Sequence, residues 1–125
     1  MKLHHIGYVV RSIESSAAGF PGLKLVNKVF DPVQRAELAL YALDNVHLEF
    51  VQPSDPESFT WRFLEKTGGG YHHICYEVGS LDAIVAIIRD QRMVKILGPV
   101  PAVLFGGRQV VFAYSRNKEI VEFLV

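Results

Sequence analysis

The sequence has little cysteine, no net charge and no long apolar run. Its one cysteine, Cys75, excludes a disulfide within the chain and is typical of a protein from a reducing compartment. Thirteen basic and thirteen acidic residues cancel, so no overall charge attracts nucleic acid or an anionic membrane. No apolar run approaches the ~20 residues of a membrane-spanning helix. Nothing at the N-terminus resembles a secretory signal, and we therefore expect a cytoplasmic protein.

What the chain does have is the composition of one compact domain. It contains 125 residues, of which half are hydrophobic and 21% are charged. A chain of this length buries about two-thirds of its unfolded surface on folding, which is enough for a core without disulfides. The high hydrophobic content also excludes a natively disordered chain. We predict a single domain over residues 1–125.

Short segments of the chain occur twice. Residues 4–10 read His-His-Ile-Gly-Tyr-Val-Val and residues 72–78 read His-His-Ile-Cys-Tyr-Glu-Val, with five of seven positions identical. Residues 48–51, Leu-Glu-Phe-Val, are matched by Val-Glu-Phe-Leu at residues 121–124. A repeated segment indicates a structural unit that is used twice. Because the two copies cover almost the whole chain, we predict a domain with pseudo-twofold symmetry.

Each half shows the same order of secondary-structure signals. Alternating apolar residues predict strands, and Ser12 and Ser80 stand where a side chain can cap a helix. In the first half the predicted elements are a strand at 3–10, a short helix at 12–20 and strands at 23–30, 35–43 and 46–52. In the second half they are a strand at 72–78, a helix over 81–88 and strands at 94–97, 109–114 and 119–125. The pattern predicts an α+β fold of two βαβββ modules.

A further helix is predicted between the two halves. Asp55 is suited to cap its N-terminus, Pro56 to open its first turn and Gly68 to end it, so the helix is expected at 56–67. The glycine triplet at 68–70 resembles a phosphate-binding loop, but it leads into a strand, so a flexible joint is the better interpretation. The domain then divides into module one at 1–52, a linker helix region at 53–70 and module two at 71–125.

Two histidines and two glutamates stand at equivalent positions of the two halves. Side chains alternate across a strand, so both glutamates share their strand with large apolar neighbours that face the other way. A carboxylate in such surroundings is costly unless it is paired or binds a cation. Imidazole and carboxylate suit Zn, Ni, Co, Fe or Mn, and four protein ligands leave positions for substrate or water. A single strand histidine is more often an ordinary core or surface residue, but the recurrence favours one divalent metal ion held by His5, Glu49, His73 and Glu122.

One stretch of the chain resembles a known family. Residues 63–78 read Phe-Leu-Glu-Lys-Thr-Gly-Gly-Gly-Tyr-His-His-Ile-Cys-Tyr-Glu-Val, which is similar to the central segment of methylmalonyl-CoA epimerases in the vicinal oxygen chelate (glyoxalase/bleomycin resistance/dioxygenase) superfamily. His5 in His-Ile-Gly, Glu49 and Glu122 match the positions of that family's other metal ligands. The resemblance covers nearly the whole chain. It implies a glyoxalase-like fold, in which the paired modules form one open β-cup around the metal.

The resemblance also implies a chemistry, that of a metal-dependent isomerase, epimerase or glyoxalase-type lyase. Such an enzyme transfers a proton next to a carbonyl, and an acyl thioester is one candidate substrate. Glu122 is expected to act as ligand and, when released, as base. Glu37 resembles a position that holds a proposed acid/base in some epimerases, although a solvated glutamate on a polar strand face is the alternative. His4 and His72 are expected to point away from the ligands and to have a structural role.

Other functions stay open at this point. A ring-opening dioxygenase or an antibiotic-inactivating thiol transferase typically uses His, His and Glu only, so Glu49 argues against both. A drug-binding protein of the bleomycin-resistance type lacks the metal set altogether. The expected partner is a small-molecule substrate, with no nucleic acid and no membrane, and a homodimer is an open alternative. The apolar loop at 98–107 is expected to cover a substrate at the rim of the cup, or to pack on the linker helix or a second subunit.

Overall fold

The computed structural model describes all 125 residues and contains one eight-stranded mixed sheet with three α-helices. The first half of the chain forms β1 Lys2–Val9, α1 Ile13–Ala18, β2 Lys24–Asp31, β3 Ala36–Leu43 and β4 Val46–Pro53. Helix α2, Trp61–Thr67, follows. The second half forms β5 Gly70–Glu77, α3 Leu81–Asp90, β6 Val94–Ala102, a 3-10 turn at Val103–Phe105, β7 Arg108–Tyr114 and β8 Ile120–Leu124. The predicted α+β fold, with the order βαβββ in each half, is confirmed.

The sheet is symmetric about its centre. Its strand order is β2-β3-β4-β1-β5-β8-β7-β6, so each strand of the first half has its counterpart at the mirrored position. Strands β1 and β5 pair antiparallel in the middle, and each also pairs in parallel with the last strand of its own half, β4 or β8. The repeated segments in the sequence therefore lie beside one another on the four central strands. This is the pseudo-twofold arrangement that the repeat predicts.

Strand alternation gives the sheet an outer face that is covered by helices and an inner face that forms the cup. On the outer face, Ile13 of α1 packs against Phe50, and Ile84 of α3 packs against Phe123. Both helices begin where the sequence predicts, because the hydroxyls of Ser12 and Ser80 accept hydrogen bonds from backbone N–H groups three residues later. No helix has the length and apolar character that a membrane span requires.

The linker helix is shorter than predicted. It begins at Trp61 rather than at residue 56, because the preceding residues form a turn in which Asp55 accepts a hydrogen bond from the backbone N–H of Glu57. The carboxylate of Asp55 is also paired with Arg35, with Nη2 and Oδ2 2.6 Å apart. Gly68 ends the helix in the left-handed conformation, as predicted. The exact division into modules stays a prediction. Strand β4 ends at residue 53 and strand β5 starts at residue 70, each one residue beyond the predicted boundaries at 52/53 and 70/71.

The first half of the predicted loop at 98–107 is a strand. Strand β6 continues through Pro99 and Pro101 to Ala102, which is possible because β6 is an edge strand and needs hydrogen bonds on one side only. The turn that follows reaches across the cup. Leu104, 5% exposed, packs on the inner face of the first half and against Leu64 of α2. The loop therefore both covers the cup and contacts the linker helix.

Candidate metal centre

The middle of the inner face holds the two histidines and two glutamates that the sequence singles out. They come one each from the four central strands, as His5 on β1, Glu49 on β4, His73 on β5 and Glu122 on β8. None of the four residues is more than 3% exposed. One atom from each, imidazole nitrogen or carboxylate oxygen, lies within 4.8 Å of the other three. The structure thus brings the whole predicted ligand set together within a single chain.

The distances within this cluster suit a single ion. The Nε2 atoms of His5 and His73 are 3.2 Å apart. The Oε2 atom of Glu122 lies 3.6 Å from Nε2 of His5 and 3.0 Å from Nε2 of His73. For Oε1 of Glu49, the corresponding distances are 3.7 Å and 3.5 Å. An ion with ligands at about 2.0–2.2 Å separates neighbouring donor atoms by roughly 3.0–3.5 Å. Three of the five distances lie in this range, and the two from His5 to the carboxylates, 3.6 Å and 3.7 Å, lie just above it, so the donor set fits one ion with a small adjustment.

The charges of the cluster lead to the same conclusion. Two carboxylates buried close together are costly without a compensating positive charge. A divalent cation with two neutral imidazoles would give the site a net charge of zero. Nitrogen and oxygen donors in this mixture suit Zn, Ni, Co, Fe or Mn.

The contacts between the imidazoles and the carboxylates change the pKa values of both kinds of group. Burial lowers the pKa of His73, but its hydrogen bonds with Glu122 and Glu49 outweigh burial and raise the pKa to about 9. Burial raises the pKa of Glu122, yet contacts with His5 and His73 hold it well below its ordinary value. Glu122 is therefore a carboxylate at physiological pH, which is the form that a metal ligand or a general base requires.

His4 and His72 do not point away from the ligands, so that expectation is wrong. Nδ1 of His4 lies 2.9 Å from Nδ1 of His5, and Nδ1 of His72 lies 2.8 Å from Nδ1 of His73. The β1–β5 pairing skips one residue of β1 at position 4 and one residue of β5 at position 72. Such a β-bulge re-aims the side chain of the extra residue. The doubled His-His pair in both repeats was the only signal in the sequence.

A turn from the second half of the chain covers the cluster. The ring of Phe105 stacks on the ring of His5, with centroids 5.2 Å apart, and meets the edge of His4 at 4.9 Å. No surface cavity is lined by any of the four clustered residues. Two cavities instead reach His4 and His72, the flanking histidines that precede the proposed ligands. One of about 350 Å³ is lined by His4 and one of about 320 Å³ by His72. Nothing in the sequence indicates that Phe105 lies on a proposed ligand.

Glu37 is the one predicted site residue that the structure does not bring to the cluster. Its neighbours Ala36 and Leu38 pack on the inner face, so strand alternation turns Glu37 to the outer face. There a hydrogen bond with Glu14 raises the pKa of Lys28, and the charge of Glu37 adds to this effect. The sheet itself therefore separates Glu37 from the cluster.

Comparisons with known proteins agree with this architecture. The sequence model of one protein family, the Glyoxalase/Bleomycin resistance protein/Dioxygenase superfamily, matches residues 4–112 of the chain. The uncharacterized protein YqjC of Bacillus subtilis is 28% identical over 119 residues, which cover 93% of this chain and 84% of YqjC. Human mitochondrial methylmalonyl-CoA epimerase is 26% identical over 120 residues, covering 93% of this chain and 68% of that protein.

A solved structure confirms the fold. The methylmalonyl-CoA epimerase of Mycobacterium tuberculosis superposes with a TM-score of 0.85 at 21% identity, covering 98% of this chain and 86% of the other. The glyoxalase-like fold that the resemblance implies is thereby confirmed. The family and its epimerase relatives support an isomerase or epimerase role. By its match to the family model over most of its length, the chain belongs to the glyoxalase/bleomycin resistance/dioxygenase superfamily.

Proposed function

We propose that the protein is a metal-dependent isomerase or epimerase, or a glyoxalase-type lyase, that transfers a proton at the carbon next to a carbonyl. An acyl thioester is the substrate class we favour, because the human relative acts on one by its name. The observation that carries the proposal is the convergence of four buried donor residues, two from each half, at distances that suit one ion: His5, Glu49, His73 and Glu122.

The two histidines and at least one glutamate would hold the ion. His5 and His73 present Nε2 toward each other and toward both carboxylates, so Nε2 is the donor atom of each. A divalent ion held there would polarise the carbonyl oxygen beside the carbon that loses its proton. The buried, water-poor surroundings would strengthen that interaction.

The proton would be carried by the carboxylates of the cluster. Glu122 takes the proton from the carbon while the electrons of the broken C–H bond pass into the neighbouring carbonyl group. An epimerase must return the proton on the opposite face of the planar carbon, which calls for a second group. With Glu37 on the outer face, Glu49 is the only other carboxylate at the cluster. Because Glu49 and Glu122 come from opposite halves of the pseudo-twofold domain, they suit the two faces.

Access to the cluster requires a movement. Phe105 lies on His5, and none of the surface cavities reaches the four donors. A substrate carbonyl therefore reaches the ion only after the turn Val103–Phe105 has moved aside. Its apolar side chains would then lie against the bound substrate and keep water out.

The test is proton exchange in heavy water. The purified protein is loaded with Co²⁺, Ni²⁺, Zn²⁺ or Mn²⁺ and incubated with α-branched acyl thioesters and with hemithioacetals in D₂O. We expect NMR to show loss of the proton next to the carbonyl, and Glu122→Gln to slow this exchange by about 100-fold or more. Glu37→Gln is the matched control and should leave the rate unchanged. A metal-loaded protein that exchanges no such proton from either substrate class contradicts the proposal.

A further inference from the structure

The two flanking histidines, His4 and His72, contact the proposed metal ligands in the same way in both halves of the molecule. His4 meets His5, and His72 meets His73, each through a pair of Nδ1 atoms less than 3 Å apart. The two contacts are related by the pseudo-twofold axis, since positions 4–5 and 72–73 belong to the same repeat. Both depend on a β-bulge in the central β1–β5 pairing, one on each strand. Such a symmetric departure from regular pairing points to a function rather than to an accident of packing.

The contact determines which ring nitrogen can bind an ion. A neutral imidazole carries one proton, so a ring that binds through Nε2 must have its proton on Nδ1. That N–H group then needs an acceptor, and for both ligands the nearest one is the Nδ1 atom of the preceding histidine. Metal-binding histidines commonly donate this hydrogen bond to a carboxylate, carbonyl or water. Here a neutral ring takes the place of a carboxylate and adds no further negative charge to the site.

The rings of the flanking histidines are themselves held in place. His72 is 5% exposed and meets the ring of Phe63 edge-on at 4.8 Å and that of Phe59 at 6.4 Å. His4 meets Phe105 edge-on at 4.9 Å. Aromatic side chains therefore fix both acceptors, and the acceptors fix the ligands.

We propose that His4 and His72 are positioning residues of the metal centre. Each accepts the Nδ1–H hydrogen bond of the ligand that follows it and so keeps the Nε2 lone pair of His5 or His73 aimed at the ion. This inference rests on the proposed function for the presence of an ion, but the two Nδ1–Nδ1 contacts exist without one.

The test compares two replacements of the same histidine. His72→Asn can place an amide oxygen near the former Nδ1 position, whereas His72→Phe keeps the aromatic packing and removes the acceptor. We expect the Phe variant to bind Co²⁺ or Zn²⁺ about 10- to 100-fold more weakly in chelator competition, and the Asn variant to stay within a few-fold of the wild type. His4→Phe and His4→Asn should behave in the same way. His47→Phe is the control, because His47 is exposed and does not contact a ligand.

A second readout is independent of metal affinity. Histidine ¹⁵N NMR of the protein without added metal should show a protonated Nδ1 on His73 and an unprotonated Nδ1 on His72. The variant His72→Phe should shift the resonance of the His73 Nδ1–H group, because the group loses its acceptor. A wild type that binds no metal overturns the proposed function, while the NMR measurement still tests the positioning role. A wild type in which Nδ1 of His73 carries no proton, or a His72→Phe variant with an unchanged Nδ1–H resonance and unchanged metal affinity, overturns the positioning role.

Discussion

The imidazole of His73 occupies the space in which Gly7 would carry a Cβ atom. The two residues face each other across the β1–β5 pairing, and a methyl group built on Gly7 would overlap the His73 ring. By the pseudo-twofold symmetry, the counterpart of Gly7 is Cys75, a small residue that faces His5 in the same pairing. Each proposed ligand histidine thus lies across from a small residue of the other half. The close fit makes the centre of the sheet sensitive to side-chain volume.

Replacing Gly7 by alanine should therefore disturb the proposed metal site. The new methyl group displaces the His73 ring, because the overlapping atoms belong to the ring itself. We expect metal affinity to fall by at least about 10-fold, and the free energy of unfolding to fall by about 1–3 kcal/mol, as for other overpacked cores. Calorimetric titration with Zn²⁺ and thermal unfolding measure the two effects. Gly79→Ala is the control, since nothing lies near its Cβ position. Equal metal affinity in both variants would contradict the prediction.

We predict about one tightly bound divalent ion per chain. Four buried donors, two of them carboxylates, leave charge uncompensated without it. Elemental analysis of the wild type should give a ratio near one, and the double variant His5→Ala/His73→Ala should give a ratio near zero. Added metal at about 100 times its Kd should stabilise the wild type by about 2.7 kcal/mol and leave the double variant unaffected. A wild type that stays metal-free after incubation with Co, Ni, Zn and Mn would end the enzyme hypothesis in favour of a binding protein.

Stability without metal should depend on pH through His73. Its pKa in the folded protein is about 9, against an ordinary value of 6.5. A raised pKa stabilises the fold fully below about pH 6.5, and this contribution disappears as the pH rises through 9. A metal ion competes with the same proton, so its stabilising effect should grow over that range. We expect the Tm of the metal-free protein to fall between pH 6.5 and 9 and the increase in Tm on adding Zn²⁺ to become larger. A metal-induced increase that shrinks over this range would refute the assignment.

The covering turn should control how fast the ion exchanges. Phe105→Ala removes the ring that lies on His5, and we expect a chelator to extract Co²⁺ at least several-fold faster than from the wild type. Val103→Ala is the control in the same turn, because that side chain is 43% exposed. Leu104→Ala should instead destabilise the protein by about 2–5 kcal/mol, since Leu104 belongs to the core. Equal extraction rates for the wild type and Phe105→Ala would show that the ring does not block access.

The strand and helix order could be derived from the sequence because its signals are local. Alternation along a strand, a serine before a helix and a glycine after it depend only on neighbouring residues, and they located most elements to within a residue or two. The cap at Asp55 failed because a distant partner, Arg35, and a competing turn engage its carboxylate. The proposed ligands could be selected because the chain repeats itself, and the repeat marks equivalent positions before any contact is known.

Three features of the site were decided by the tertiary structure alone. Alternation shows which residues share a strand face but not which face becomes the inner one. The sequence alone therefore could not exclude Glu37 from the metal site. The bulges at His4 and His72 are properties of the β1–β5 pairing. The sequence of one strand does not show which of its residues the partner strand leaves unpaired. The position of Phe105 on His5 depends on β6 running on to Ala102 at the sheet edge, which brings one half of the chain across the other. In each case the cause is a contact between segments far apart in the chain, whereas the order of elements and the four-residue set follow from the sequence itself.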